Sequence, residues 1–315
     1  MLIPPMVTPF VTLEFIAKNE VYCTMTIREL LTQSTAELKS VNIDTASLDA
    51  SILLAHTLGI DRSKLPAMNE ETIKTETLSV FHALLERRIN GECIAYITGK
   101  KEFYGLEFMI NHHVLVPRPE TEMLVTVSRE QVTDNSEQRV VRVLDLCTGS
   151  GAIAIALKHE LPHLEVYATD ISAEALEVAK YNASKLLPNN NNISFLQGDL
   201  YNALPSSISS LLIANCYLIV SNSPYISAAE METLSIEVKK EPRLALDGGK
   251  DGLEIIERII KDAPIYLKRG GQLLLEADPR QMEKIKSLLA NRGFNDIQLY
   301  KDLAGLERVI GGIYI

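Results

Sequence analysis

The chain has 315 residues, 46% of them hydrophobic and 23% charged, which excludes a low-complexity or disordered chain and leaves room for two domains with buried cores. The formal net charge of -10 offers nucleic-acid phosphates no general attraction, so a basic protein surface is the more natural partner than nucleic acid. The four cysteines, Cys23, Cys93, Cys147 and Cys216, form no CxxC pair, and His112 and His113 are sequence neighbours that a strand would point to opposite faces. Neither a disulfide framework nor a metal site is expected.

Residues 1–24 are interrupted by Pro4, Pro5 and Pro9 and lack a basic start, so they read as a disordered extension rather than a signal peptide. No apolar run reaches membrane-spanning length, and reduced thiols without a metal fit the cytoplasm. Residues 25–101 read as a helical domain, with Ile27, Leu30, Leu31 and Leu38 at helical spacing and a short helix over Asp49–Leu58 closed by Gly59. Nothing in it carries chemistry; it serves stability or docks a partner. Residues 102–119 read as a β-hairpin linker, with alternation over Phe103–Val116 and Gly105 near the turn. Pro117 and Pro119 bracket Arg118, and a helix starting near Glu120 opens the last domain, residues 120–315.

From Val140 short apolar runs alternate with helical stretches. The runs are VVRVLDLC, LEVYATD, ISFLQGD, CYLIVSN and GGQLLLEA, with two more strands in the tail from Ile297 to Ile315. Continuous apolar strands indicate a parallel sheet covered on both faces, so the fold class is an open α/β sheet with ligands at the carboxyl ends of its strands. The asparagine run Asn189–Asn192 reads as a solvated loop.

Three strand ends suggest an adenosyl ligand without phosphates. Asp145-Leu-Cys-Thr-Gly149-Ser-Gly151 follows the first strand, and its glycines allow a tight turn and close approach to a ligand. Its spacing is neither GxGxxG nor a P-loop, and alone it is equally a plain strand-to-helix turn. Asp170 ends the second strand, where a carboxylate can accept both ribose hydroxyls, and Asp199 ends the third, where it can take an adenine amino group. Each acid alone also reads as a helix cap; the three together favour the ligand.

The fourth strand ends in Ser221-Asn222-Ser223-Pro224-Tyr225, which resembles the Asn-Pro-Pro-Tyr motif of amino-methyltransferases. A planar amide nitrogen is a poor nucleophile because its lone pair is delocalised. An asparagine oxygen and a backbone carbonyl that accept its two N–H groups can orient it toward an electrophilic methyl, so that positioning supplies most of the catalysis. The segments VLVPRPETEMLV from Val114, EPRLALDGGKDGL from Glu241 and DLAGLERVI from Asp302 extend the likeness. With them the chain resembles the release factor glutamine methyltransferases from about Met25 to its end.

That resemblance implies a Rossmann-like, class I S-adenosylmethionine-dependent methyltransferase domain behind a helical domain that docks the substrate. It implies transfer of a methyl group to N5 of the glutamine in the Gly-Gly-Gln motif of class-1 peptide chain release factors, leaving S-adenosylhomocysteine. It places the cofactor's methionine part along Cys147, Thr148, Gly149, Ser150 and Gly151, ribose on Asp170, and adenine near Asp199 and Leu200, with Asn222 also close to the cofactor. The acceptor amide falls to Asn222, the Ser223 carbonyl, Pro224 and Tyr225. Ser223 replaces the family's first proline, Tyr217 an aspartate, and Asp278 a turn glycine whose left-handed geometry aspartate tolerates. A methyltransferase for another planar amine, in nucleic acid or a ribosomal protein, and a binding-only relative disabled by Ser223, are the alternatives.

Overall fold

Two compact units, divided between Ile89 and Asn90, emerge in the computed structural model, which describes residues 25–133, 140–188 and 192–315. The extension expected over 1–24 and most of the asparagine loop, Asn189 to Asn191, lie outside the described residues.

The first unit is built on α1 (Ile27–Ser40), α2 (Ala46–Leu58) and α3 (Thr75–Ile89). Thr26 and Glu29 cap α1 reciprocally, each side chain accepting the other's backbone N–H. The second helix ends at Gly59, which takes the left-handed conformation expected of it. It begins three residues before Asp49, because the small buried residues Ala46 and Ala50 extend its apolar face. Asp49 is itself buried and accepts a 2.7 Å hydrogen bond from Arg88 of α3.

The second unit opens with α4 (Ile94–Thr98) and an antiparallel hairpin of β1 (Lys100–Phe103) and β2 (Leu106–Met109). The hairpin is earlier and shorter than the alternation over 103–116 suggests. Ile110, Val114 and Val116 are apolar because they are buried in a core, not because they pair with a strand. Next come α5 (Thr121–Thr133), β3 (Arg142–Leu146), α6 (Ala152–Glu160), β4 (Glu165–Asp170), α7 (Ala173–Leu186), β5 (Ser194–Gln197), α8 (Ser206–Leu212) and β6 (Cys216–Ser221). Two single-turn helices, α9 (Ala228–Met231) and α10 (Ile236–Lys239), lead to α11 (Glu254–Tyr266), β7 (Leu267–Glu276), α12 (Met282–Asn291), β8 (Phe294–Lys301) and β9 (Glu307–Tyr314).

Seven strands form one sheet in the order β5-β4-β3-β6-β7-β9-β8, parallel through β7 and antiparallel at β9 and β8. The parallel strands alternate between two cores, which accounts for their unbroken apolar runs. Leu218 and Val220 face the core shared with α5, α6 and α7, whereas Ile219 faces the one shared with α11 and α12. Strand order reverses between β3 and β6, and a crevice at such a reversal is where an open α/β sheet binds its ligand.

Two of the three family departures lie away from that crevice or are harmless to it. Tyr217 is at the amino end of β6, where its buried ring donates a 3.0 Å hydrogen bond from its hydroxyl to the Gln131 carbonyl. Asp278 has φ -68, so no left-handed residue is required there, contrary to the expectation from the family's glycine. It instead caps a short turn in which Gln281 answers it, and Gln281 Nε2 donates to the Tyr225 carbonyl at 3.0 Å.

Candidate active site

A cavity of about 350 Å³ opens at the carboxyl ends of β3, β4 and β6. Its wall brings together Cys147, Thr148, Gly149, Ser150, Asp170, Asp199, Leu200, Asn222 and Pro224, nine of the residues selected from sequence. Gly151, Ser223 and Tyr225 are not part of the wall.

The turn after β3 is shaped by positive φ at Cys147 (61), Gly149 (56) and Gly151 (81). Side-chain carbon at Gly149 would meet nothing within 4 Å, whereas at Gly151 it would strike Ile155 and Ala179. Gly149 therefore leaves space beside the cavity, and Gly151 lets α6 approach α7. Thr148 donates to Asp145 at 2.6 Å. Burial pushes Asp145 up to about 7, and its other oxygen has no hydrogen-bond partner among the described residues. Burial likewise pushes the Cys147 thiol pKa up.

Asp170 ties this turn to the next strand. Its two oxygens accept the Gly149 N–H at 2.8 Å and the Ser172 N–H at 2.9 Å. Desolvation raises its pKa while those N–H groups oppose the rise, and each oxygen keeps a lone pair for a further donor. Asp199 is half-exposed and paired at 2.5 Å with Arg258 of α11, a wall residue not foreseen from sequence.

At the end of β6, the Ser221 hydroxyl donates to the Leu146 carbonyl at 2.7 Å and locks the two central strands together. Asn222 Nδ2 donates to Thr121 Oγ1 at 3.0 Å. The Asn222 oxygen accepts nothing from the described residues and is left for a ligand. Ser223 is buried behind the wall, and its hydroxyl has no hydrogen-bond partner among the described residues. Tyr225 packs on the α11–α12 core, and burial raises its phenol pKa. Its backbone is held by the 242–252 segment: Ile226 N–H donates to Leu246, and Gly248 N–H returns the bond to Ile226. A side chain at Gly248 or Gly252 would strike the backbone of Pro224 or Tyr225, so these glycines allow the close approach.

Two of the three segments quoted from the sequence without assigned roles, those from Val114 and from Glu241, thus meet here. Pro242, Leu244, Ala245 and Asp247 line the cavity, as do Thr121, His112 and His113. Arg118 pairs with the buried Glu241 at 2.5 Å, joining the loop before α5 to the loop after β6. Glu276, buried at the end of β7, was not selected from sequence; its place at a strand end was the available signal.

The wall suits S-adenosylmethionine better than a phosphate ligand. Asp170 and Asp199 supply acceptors for hydroxyl and amino groups, and carboxylates favour a positive sulfonium and ammonium. Arg258, the arginine on the wall, is already paired with Asp199.

Comparison with known proteins agrees with this geometry. Residues 29–99 match the family described as PrmC N-terminal domain, and residues 137–291 match a methyltransferase domain family. A release factor glutamine methyltransferase of Rhodopirellula baltica is 38% identical over 90% of this chain and 95% of its own length. Another from Burkholderia pseudomallei is 39% identical over 84% of this chain and 91% of its own. Among solved structures, the hMettl16 catalytic domain matches with a TM-score of 0.51 at 16% identity, over 74% of this chain and 82% of that one, a likeness of fold. The chain therefore belongs to the release factor glutamine methyltransferase family, as an S-adenosylmethionine-dependent protein-glutamine methyltransferase.

Proposed function

We propose that the chain methylates N5 of the glutamine in the Gly-Gly-Gln motif of class-1 peptide chain release factors, acting in the cytoplasm. The observation that carries this reading is the Asn222 amide, its nitrogen bound by Thr121 and its oxygen free, in the same cavity as Asp170 and Asp199. Cys147 to Gly151, Asp170, Asp199 and Leu200 would hold the cofactor. When bound, S-adenosylmethionine supplies a methyl group activated by a sulfonium.

The chain's own task is then to orient a weak nucleophile. Asn222 Oδ1 accepts one N–H of the acceptor amide and Pro224 on the wall shapes the slot, while Ser223 and Tyr225, behind the wall, support the loop that carries them. Held in this way, the nitrogen meets the methyl with little reorganisation, and no strong base is needed beforehand. Mass spectrometry of a release factor incubated with the chain and S-adenosylmethionine tests the reading. One added methyl on the Gly-Gly-Gln glutamine is expected; methylation elsewhere, or none, overturns it.

Two further outcomes follow from the parts. Ser223 keeps the carbonyl of the proline it replaces, and Pro224 after it restricts its backbone to extended geometry. Ser223→Pro is expected to raise single-turnover transfer by only about two- to five-fold, the equivalent of roughly 0.4–1 kcal/mol of loop stiffness. Activity in the proline variant alone would mean that the natural chain only binds. The first unit carries no wall residue, so we assign it to docking the factor. A truncated chain beginning at Asn90 should keep its cofactor affinity in calorimetry and show a raised KM for the intact factor; an unchanged KM removes the docking role.

A further inference from the structure

Behind the acceptor end of the cavity, polar side chains from three distant elements meet. Ser221 of β6 pairs with Leu275 of β7, which brings Asn222 and Glu276, the next residue of each chain segment, side by side at the end of the two parallel strands. Val220 and Leu274, two residues back, lie in one core with Leu124 and Val125 of α5. Thr121 opens α5 there. Its oxygen accepts the Asn222 Nδ2 hydrogen bond at 3.0 Å, and its hydroxyl favours the charged form of the Glu276 carboxyl. Thr121 is 3% exposed and Glu276 1%, and Glu276 Oε2 has no hydrogen-bond partner among the described residues.

We propose that Glu276 is a positioning residue for methyl transfer: through the Thr121 hydroxyl it fixes which end of the Asn222 amide faces the acceptor nitrogen. The inference rests on the reading of Asn222 as the group that orients the acceptor. An asparagine amide can present either its oxygen or its NH₂, and only the oxygen can accept an N–H of the substrate. A threonine hydroxyl has one proton to donate. An ionised carboxylate only accepts, so it draws that proton and leaves Thr121 as an acceptor toward Asn222. Nδ2 is then held inward, and Oδ1 faces the cavity. A protonated Glu276 can donate to Thr121 instead, which frees the Thr121 proton for the Asn222 oxygen and permits the reversed amide.

The orienting form is sensitive to pH. Burial pushes Glu276 up to about 7, against Arg308 of β9 and Arg118 before α5, which favour its charge; Glu120 and the Tyr225 phenol also face it. The productive arrangement is therefore lost as pH falls through about 7. Stability runs the other way. A folded pKa above the usual carboxylate value contributes stability that is complete below that value and is lost as pH rises through about 7.

The test is the pH profile of single-turnover transfer to a release factor in wild type, Glu276→Gln, Thr121→Val and Thr121→Ser. Wild-type rate should fall by about tenfold between roughly pH 8 and pH 6, and Glu276→Gln should lack that limb. At the upper pH, Glu276→Gln and Thr121→Val should each lose about tenfold, within the cost of a misplaced group, with cofactor Kd and acceptor KM unchanged. Thr121→Ser, which keeps the hydroxyl, should stay near wild type. The melting temperature of wild type relative to Glu276→Gln should rise as pH falls, a readout independent of activity. Wild-type rates in both Glu276→Gln and Thr121→Val, with Asn222→Ala inactive, would overturn the positioning role and leave the proposed function intact. Wild-type rates in Asn222→Ala as well would overturn the function beneath it. If Glu276→Gln does not fold, equal rates in Thr121→Val and Thr121→Ser would overturn the proposal by themselves.

Discussion

Changing Asn222 to alanine is expected to reduce single-turnover methyl transfer by about 10²–10³-fold, the cost of removing one preorganised hydrogen-bonding group from a reacting centre. The side chain is half-buried at the end of β6, and its nitrogen is already committed to Thr121, so its free oxygen has no structural duty. Alanine therefore removes an acceptor for the substrate and leaves one threonine oxygen to find another donor. Cofactor affinity should change little, because Asp170 ends β4 and Asp199 follows β5, whereas Asn222 follows β6. Transfer of a labelled methyl group to a release factor, measured alongside cofactor binding by calorimetry, separates the two effects. Transfer within a few-fold of wild type would mean that the acceptor nitrogen is held by some other group.

Changing Asp170 to alanine should weaken S-adenosylmethionine binding by about one to two orders of magnitude, from the loss of charge-assisted hydrogen bonds worth roughly 1.5–3 kcal/mol. The carboxylate has two tasks. Its remaining lone pairs suit ribose hydroxyls, and its oxygens hold the N–H groups of Gly149 and Ser172 in place. Alanine removes both the acceptor and the tie that shapes the glycine turn. Affinity should also fall with pH sooner than an ordinary carboxylate would dictate, because desolvation raises the Asp170 pKa and protonation removes its charge. Unchanged affinity in a folded variant, read by calorimetry, would reassign the ribose to other groups.

Both variants change residues that could be named from the sequence, and the reason is local. The apolar runs that became β3 to β7 announce strands covered on both faces, and the residue ending each run is then at the ligand edge of the sheet. Gly149, Asp170, Asp199 and Asn222 are legible because chain order alone puts them at those ends. Side-chain direction past a strand end is not local. Ser223 and Tyr225 sit behind the wall because the loop leaving β6 is pinned by residues 242–252. The hairpin ends before Val114 and Val116 for a related reason: their burial against other elements imitates strand alternation.

The sequence by itself determined the α/β sheet, the glycine turn and the strand-end acids and amide, since each depends on residues within a few positions of one another. Only the tertiary structure decided what holds them. Thr121 reaches Asn222 across 101 positions, and Arg118 reaches Glu241 across 123. Arg258 comes from α11 to pair with Asp199, and Glu276 arrives on the neighbouring strand. Such partners leave no period in the chain, because a hydrogen bond requires proximity in space and sets no spacing in sequence.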